Sequence, residues 1–418
     1  MTAPMLTVEA ALEHVLSAFH PLEPERIPIL EALDRVLAED VRAGEDIPPH
    51  ANSSMDGYAM LAADTSGASI DHPAHLRIIG EIAAGYVPDA AVAPGTTMRI
   101  MTGAPIPPGV DAAATAAATA EAIAVVKVED TETDGEWVNI HTEVSPGNYI
   151  RPAGEDVRQG ELVLPKGTLV RSQEIGMLAT LGHKEALVHR RPHVAILATG
   201  DEVVEIGQPL MPGKIRNANS YSNAAQVLKQ GGVPLLLGIA RDSVEDLTAK
   251  IRAGLEQDVD LFLTSGGVSV GDFDLVKDVL AAEGDIAFWR VRMKPGKPLA
   301  FGRIGGVPVL GLPGNPVSVM VSFEVFVRPA IWKMLGRTDL ARPTLQATLM
   351  NEIAHKDERR HYVRVRVTER DGEIRAHLTG GQGSGILSSM VKANALAIIP
   401  EDWERAPAGS QVQVVMLD

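Results

Sequence analysis

Two lysines three residues apart, Lys294 and Lys297, are framed by prolines and a glycine in the run MKPGKP. Proline fixes φ and the intervening glycine permits a tight bend, so two ammonium groups are expected close together after the apolar run IAFWRV. Such a pair suits an oxyanion. A solvated basic turn is the plainer alternative, and the doubled proline frame weighs against it.

Three further loops carry chemistry at expected strand ends. In TSGGVSVGD, the small residues Ser265, Gly266, Gly267, Ser269 and Gly271 let backbone N–H groups approach a phosphate ahead of a helix expected around 275–280. Asp272 and Asp274 stand where a carboxylate could take Mg²⁺, although an aspartate at a helix start also serves as an N-cap. In GLPGNPVS, which contains Pro313 and Gly314, Asn315 reads as N-cap and Pro316 as the first helical residue. The same geometry would aim N–H groups and the Ser318 hydroxyl at an anion. In LATGDE, Thr199 and Gly200 close a strand and Asp201 and Glu202 follow. Asp242 holds the equivalent place after the next strand. Each acid could serve a metal, act as a general base, or merely cap the next helix.

The elements that must position these loops are an alternation of apolar strands and helices from His193 onward: HVAILAT, SYSNAAQVLKQG, VPLLLGIA, VEDLTAKIRAGLEQ, DLFLTSG, VPVLGL and a long apolar helix. This pattern predicts a parallel sheet flanked by helices, with ligands at the carboxyl ends of its strands. The expected fold class is multidomain α/β. Residues 1–46 and 147–178 are expected as a helical arm and linker, with helices at 8–19 and in IPILEALDRVLAEDV. Residues 47–146 form a β-rich module, 179–336 the α/β domain, and 337–418 a small terminal β-barrel. The Ala-rich tract 112–124 reads equally as packed helix or as strand and loop.

The 418 residues suffice for several such units, and 45% apolar with 22% charged residues fits a globular chain. A net charge of −16 argues against generic nucleic-acid binding, which needs a basic surface. No apolar run reaches the roughly 20 residues that span a bilayer, and the N-terminus has no basic leader, so a cytoplasmic location and no membrane partner are expected. With no cysteine, any sulfur chemistry must come with the ligand. No Walker-type loop or Gly-x-Ser-x-Gly elbow occurs, and the histidines have no metal-ligand spacing.

NSSMDGYA, RIMTGAPIP and RPAGEDV read on their own as polar turns. Taken with ILATGDE, TSGGVSVGD, MKPGKP and GLPGNPVS, they occur in the order and approximate spacing of the MoeA family, which includes the gephyrin E domain and the plant Cnx1 E domain. The chain resembles that family over nearly its whole length. One departure is AAATAAATAEA, where the family shows an apolar strand followed by an acid.

The resemblance implies a four-part subunit and a homodimer whose active site lies in a cleft completed by the partner's β-rich module. It implies molybdopterin molybdenumtransferase activity: adenylylated molybdopterin and molybdate are taken, the pyrophosphate is cleaved with Mg²⁺, and molybdenum cofactor and AMP result. The adenylyltransferase that makes the substrate and the molybdoenzyme acceptors are implied as further partners. Motif matching assigns Asp56, Thr102 and Asp156 to catalysis, Glu202, Asp242 and Asp274 to metal and hydrolysis, and Lys294, Lys297 and Ser318 to molybdate or phosphate. Arg359 and Ser384 match the terminal domain's oxyanion residues. The alternatives are a molybdopterin adenylyltransferase, which shares the α/β unit but has little use for the flanking modules, and a non-catalytic scaffold.

Overall fold

Four parallel strands in the order Val233–Ala240, His193–Thr199, Leu261–Ser265 and Val307–Leu312 form one side of a six-stranded sheet. The apolar residues of His193–Thr199 are continuous because both faces are covered: Val194 and Ile196 enter one core, Ala195 and Leu197 the other. Two more strands, Pro298–Ile304 and Gly284–Arg290, add antiparallel to one edge. The sheet is therefore mixed where a parallel one was expected. The cause is the pair Gly305 and Gly306, whose φ values of 55° and 86° make the two-residue reversal that hairpins favour.

The computed structural model describes residues 5–88, 90–109, 122–266, 279, 284–354 and 357–417. Those residues divide into two compact units, one of 1–39, 166–179 and 183–418, the other of 40–165 with 180–182. Most of the Ala-rich tract and the helix expected at 275–280 lie outside the described residues, but Ile123–Lys127 is a strand.

In the first unit, helices Ala218–Lys229 and Val244–Leu255 start at Asn217 and Ser243, whose side chains accept the N–H groups of Ser220 and Asp246. The apolar helix after the GNP turn runs through Pro316–Ser322, a π-helical stretch Phe323–Val327 and Arg328–Met334, almost wholly buried. Its one acid, Glu324, is bound by Arg328 at 2.7 Å and also by Arg342.

The opening arm is helical only over Val8–Ser17. Residues 27–41, expected as a second amphipathic helix, instead begin with the end of strand Pro24–Pro28, paired antiparallel with Glu185–His189, and continue as a 3-10 turn Ile29–Ala32. Prolines at both ends of the strand oppose a helix, and two of the stretch's three leucines, Leu30 and Leu33, are exposed while Leu37 is buried. Residues 34–37 then exchange backbone hydrogen bonds with 167–170, so the later segment packs back on the arm.

Strands Arg360–Arg370, Glu373–Leu378, Thr344–Leu349, Gln411–Met416 and Ala395–Ile399 close into a barrel, the last pairing again with the first. Alternate residues such as Val363, Val365, Ala376, Ala397 and Val414 fill it. Met293–Lys294 adds to this sheet as a short parallel strand beside Arg360 and His361.

The second unit is built on a six-stranded mixed sheet: Ile123–Lys127, Gly57–Leu61, Thr96–Ile100, Ala74–Ile82, Trp137–Ile140 and Thr131–Asp134. Ala59, Met98 and Val125 bury one face; Tyr58, Met60 and Val126 bury the other. The β-rich reading of this region holds.

Candidate active site

Parallel strands end together, and here their registers place Thr199 beside Ala240, Ala198 beside Ser265, and Ser265 beside Leu312. The turns that follow are in contact. A Cβ on Gly266 (φ 97°) would stand 3.0 Å from both the carbonyl oxygen and Oγ1 of Thr199, and a Cβ on Gly314 would stand 3.8 Å from Gly266 Cα. The hydroxyls of Thr264 and Ser265 are buried there without a hydrogen-bond partner among the described residues. Buried hydroxyls of this kind call for a polar occupant, water or ligand. Gly267, Ser269, Gly271, Asp272 and Asp274 lie outside the described residues.

The acids after the first two strands are paired. Asp201 N–H donates to Asp242 Oδ2 and Asp242 N–H to Asp201 Oδ1, each at 3.2 Å. Lys214 Nζ donates to the Asp201 carbonyl at 2.6 Å. The Glu202 carboxylate folds back against Gly200, and it makes no ion pair or hydrogen bond among the described residues. Asp242 Oδ1 is likewise without a partner there. No group of three or more potential metal-ligating side chains occurs among the described residues.

The lysine loop reaches this same end of the sheet. Ala300 pairs with Gly311, so Lys297, three residues earlier on an antiparallel strand, extends past the carboxyl end of Val307–Leu312. Val291 N–H donates to the Lys297 carbonyl at 2.8 Å, closing the loop on itself. Gly296 packs on the buried apolar helix: a Cβ there would lie 2.6 Å from Ser322 Oγ. Lys297 is half-buried, and its ammonium has no partner among the described residues. Lys294 is engaged by Asp357, with Nζ 3.3 Å from Oδ2.

Asp357 also accepts from Arg359, Nε to Oδ1 at 3.0 Å and Nη2 to Oδ2 at 2.8 Å, and lies 3.0 Å from His361 Nε2. The Arg359 hydrogen bonds, helped by His361, hold its carboxyl well below the usual carboxylate range despite partial burial. Lys294 and Arg359, assigned from motifs 65 positions apart, thus meet on one carboxylate.

The GLPGNPVS and GQGSG segments also meet. The N–H of Val317 donates to the Ser384 carbonyl at 3.0 Å, so this helix-start donor, expected to face an anion, is already taken. Asn315 has the extended N-cap conformation ahead of Pro316, but its side chain makes no capping bond. Asn219 Nδ2 holds the Gly314 carbonyl at 2.7 Å, and Ser318, four residues further on, is buried. Pro313 is buried beside them. Arg364, wholly buried, fixes the barrel loop by donating to the Gly383 carbonyl at 3.1 Å and to Ser389 Oγ at 3.1 Å.

In the second unit, Asp56 Oδ1 accepts the Thr102 N–H at 2.7 Å. That bond first, then the Thr102 hydroxyl and the nearby Arg99 charge, lower the Asp56 carboxyl from its ordinary value. Asn52–Ser53 pairs with Ile150–Arg151, while Ser53 exchanges backbone bonds with Gly103 and Ala104. Three distant polar turns therefore lie side by side. Asp156 is exposed in the third, its N–H bonded to the Ile47 carbonyl at 3.0 Å.

Asp357, His361, Arg364 and Asn219 were not singled out from the sequence. An acid inside the basic run HKDERRHYVR was the available signal for the first.

Residues 6–182 match the family model of the MoeA N-terminal region (domains I and II), 195–333 that of a probable molybdopterin binding domain, and 346–417 that of the MoeA C-terminal region (domain IV). Molybdopterin molybdenumtransferase 2 of Mycobacterium tuberculosis is 37% identical over 416 residues, covering 98% of this chain and 99% of that protein. Molybdopterin molybdenumtransferase of Bacillus subtilis is 33% identical over 99% of this chain and 94% of that protein. The crystal structure of the molybdopterin biosynthesis moeA protein from Pyrococcus horikoshii OT3 superposes with a TM-score of 0.83 at 31% identity, covering 99% of this chain and 100% of that one. With all three family regions in order and relatives alike from end to end, the chain belongs to the MoeA family.

Proposed function

We propose that this chain is a molybdopterin molybdenumtransferase, inserting molybdate into adenylylated molybdopterin and releasing AMP in molybdenum cofactor biosynthesis. The observation that carries the reading is the position of Lys297. It is a half-buried cation without a partner among the described residues, beyond the carboxyl ends of the strands that present Thr199, Ser265 and Gly314.

Molybdate is a dianion. Lys297 would bind it directly, with Lys294 and Arg359, both held by Asp357, adding positive charge beside it. The close contact of Gly266 with Thr199 brings backbone to where a phosphate of the substrate would lie, and the unpartnered Thr264 and Ser265 hydroxyls can turn toward it. Glu202 and Asp242 offer exposed, unpartnered carboxylate oxygens, which fit the oxygen-donor preference of Mg²⁺; Asp274 would complete the set. When bound, Mg²⁺ supplies neutralisation of charge on the cleaved pyrophosphate. The pterin supplies the sulfur, as a cysteine-free chain requires.

The four-part domain division expected from the sequence, a homodimer, and a cleft where the partner's Asp56, Thr102 and Asp156 face these loops belong to the same proposal. So do the assignments of Gly200, Gly267, Ser269, Gly271, Asp272, Pro313, Asn315, Pro316, Ser318 and Ser384 to substrate binding. No helix among the described residues is long and apolar enough to cross a membrane, and the cytoplasm is the proposed site of action.

The test is to incubate the purified chain with adenylylated molybdopterin, Mg²⁺ and molybdate, measuring AMP and metal-loaded pterin. Molybdate-dependent AMP release is expected. Its absence, where a known family member works, overturns the reading.

A further inference from the structure

A cavity of about 480 Å³ opens in the first unit among Arg191, Lys229, Gln230, Trp332, Arg337 and Arg342. Arg191 lies just ahead of strand His193–Thr199, and Gly231, also in the wall, just ahead of Val233–Ala240. These strands are parallel, so the cavity marks their amino end. Thr199, Gly266 and Lys297 mark the opposite end.

Four basic side chains line the cavity, against one acid, Asp34. In a chain of net charge −16 such a concentration is against the prevailing field. Two of the four are engaged: Arg342 holds Glu324, and Lys229 Nζ donates to the Leu417 carbonyl at 2.8 Å. The other two, Arg191 and Arg337, make no side-chain hydrogen bond or ion pair among the described residues. Arg337 is half-buried and sits over Trp332, its guanidinium carbon 3.5 Å from the ring centroid. The indole is itself fixed by its Nε1–H donating to Gln230 Oε1 at 3.1 Å.

We propose that this cavity is a second anion site, remote from the strand-end loops, that takes a phosphoryl dianion with Arg337 and Arg191 as its ligands. A guanidinium stacked on an aromatic face keeps its edge N–H groups for a planar or tetrahedral oxyanion. The cavity is several times larger than a phosphate ion, so a phosphate monoester fits with its organic group inside. Helix ends do attract cations, and helices Ala218–Lys229 and Arg328–Met334 both finish here. That accounts for Lys229. It leaves Arg337, which lies on a ring, and Arg191, which precedes a strand. Burial also pushes the Arg337 guanidinium down from its ordinary value, against the pull of Asp339, a penalty that a bound anion relieves.

The experiment is calorimetric titration of the full chain with inorganic phosphate and, separately, glycerol 3-phosphate, at ionic strength fixed with sodium chloride. Saturable binding is expected, weakened at least about tenfold in both Arg337→Gln and Arg191→Gln. Tighter binding of the ester assigns the site to monoesters, and equal binding to the free ion. Arg191 is exposed, so its variant tests the site even if Arg337→Gln fails to fold. No saturable binding overturns the proposal. So does binding unchanged by Arg191→Gln but abolished by Lys297→Ala, which would place the anion at the other end of the sheet.

Discussion

Lys294 Nζ lies 3.3 Å from Asp357 Oδ2, so an ammonium assigned to an oxyanion is already held by a carboxylate of the barrel. Asp357 is a positioning residue in this arrangement: it fixes the direction of Lys294 and of Arg359 together. Asp357→Asn keeps the shape and removes the charge. Molybdate-dependent AMP release is expected to fall about tenfold or more, chiefly as a higher molybdate requirement, with partial rescue by Asp357→Glu. An unchanged molybdate dependence would reduce Asp357 to a surface ion pair.

Lys297→Ala separates binding from folding. The side chain has no partner among the described residues whose loss could cost stability, so the melting temperature should move by no more than about 2 °C. Oxyanion use should drop by about two orders of magnitude. A large melting shift with activity retained would make the lysine structural.

Gly266→Ala puts a methyl group 3.0 Å from the Thr199 carbonyl at a φ of 97°. Crowding and backbone strain together should cost about 1–3 kcal/mol in urea unfolding. A stability equal to the parent chain would show that the turn relaxes freely.

Acid stability should carry the mark of Glu174. Its carboxyl is lowered to about 2, chiefly by hydrogen bonds from the Arg171 guanidinium, with the Arg171 N–H assisting at the start of helix Ser172–Thr180. A depressed carboxyl contributes stability that is present above its unfolded pKa, near 4.5, and is lost as pH falls toward 2. Allowing for solvent screening of the exposed Arg171, the contribution is on the order of 1 kcal/mol. Glu174→Gln should flatten the stability profile between those pH values while lowering stability at pH 7. An identical acid limb in both proteins would remove the pair from the account.

The central sheet was legible because strands buried on both faces leave continuous apolar runs such as HVAILAT, whereas the cap of helix Val244–Leu255 is Ser243 and not Asp242, the acid that could have served there. The second arm helix was misread for a definite reason. Its apolar spacing is helical, but Pro24 and Pro28 bound a segment whose backbone bonds go to Glu185–His189, far along the chain. The sequence signal for the antiparallel edge is the pair Gly305–Gly306, whose positive φ values allow the tight reversal. At the strand ends, residue types in loops show which groups could bind an anion, not what each is bonded to. Neither the capture of Lys294 by Asp357 nor that of the Val317 N–H by Ser384 could be read from spacing, because both contacts join segments more than 60 residues apart.

The short strand Met293–Lys294 belongs to the barrel's sheet, and Pro298–Ile304, four residues on, belongs to the central one. The intervening turn is thus stitched into two fabrics at once. Tilting the barrel would drag Lys294 along while Lys297 stays anchored to the other side, so the spacing of the two ammonium groups registers the barrel's orientation like the jaws of a caliper.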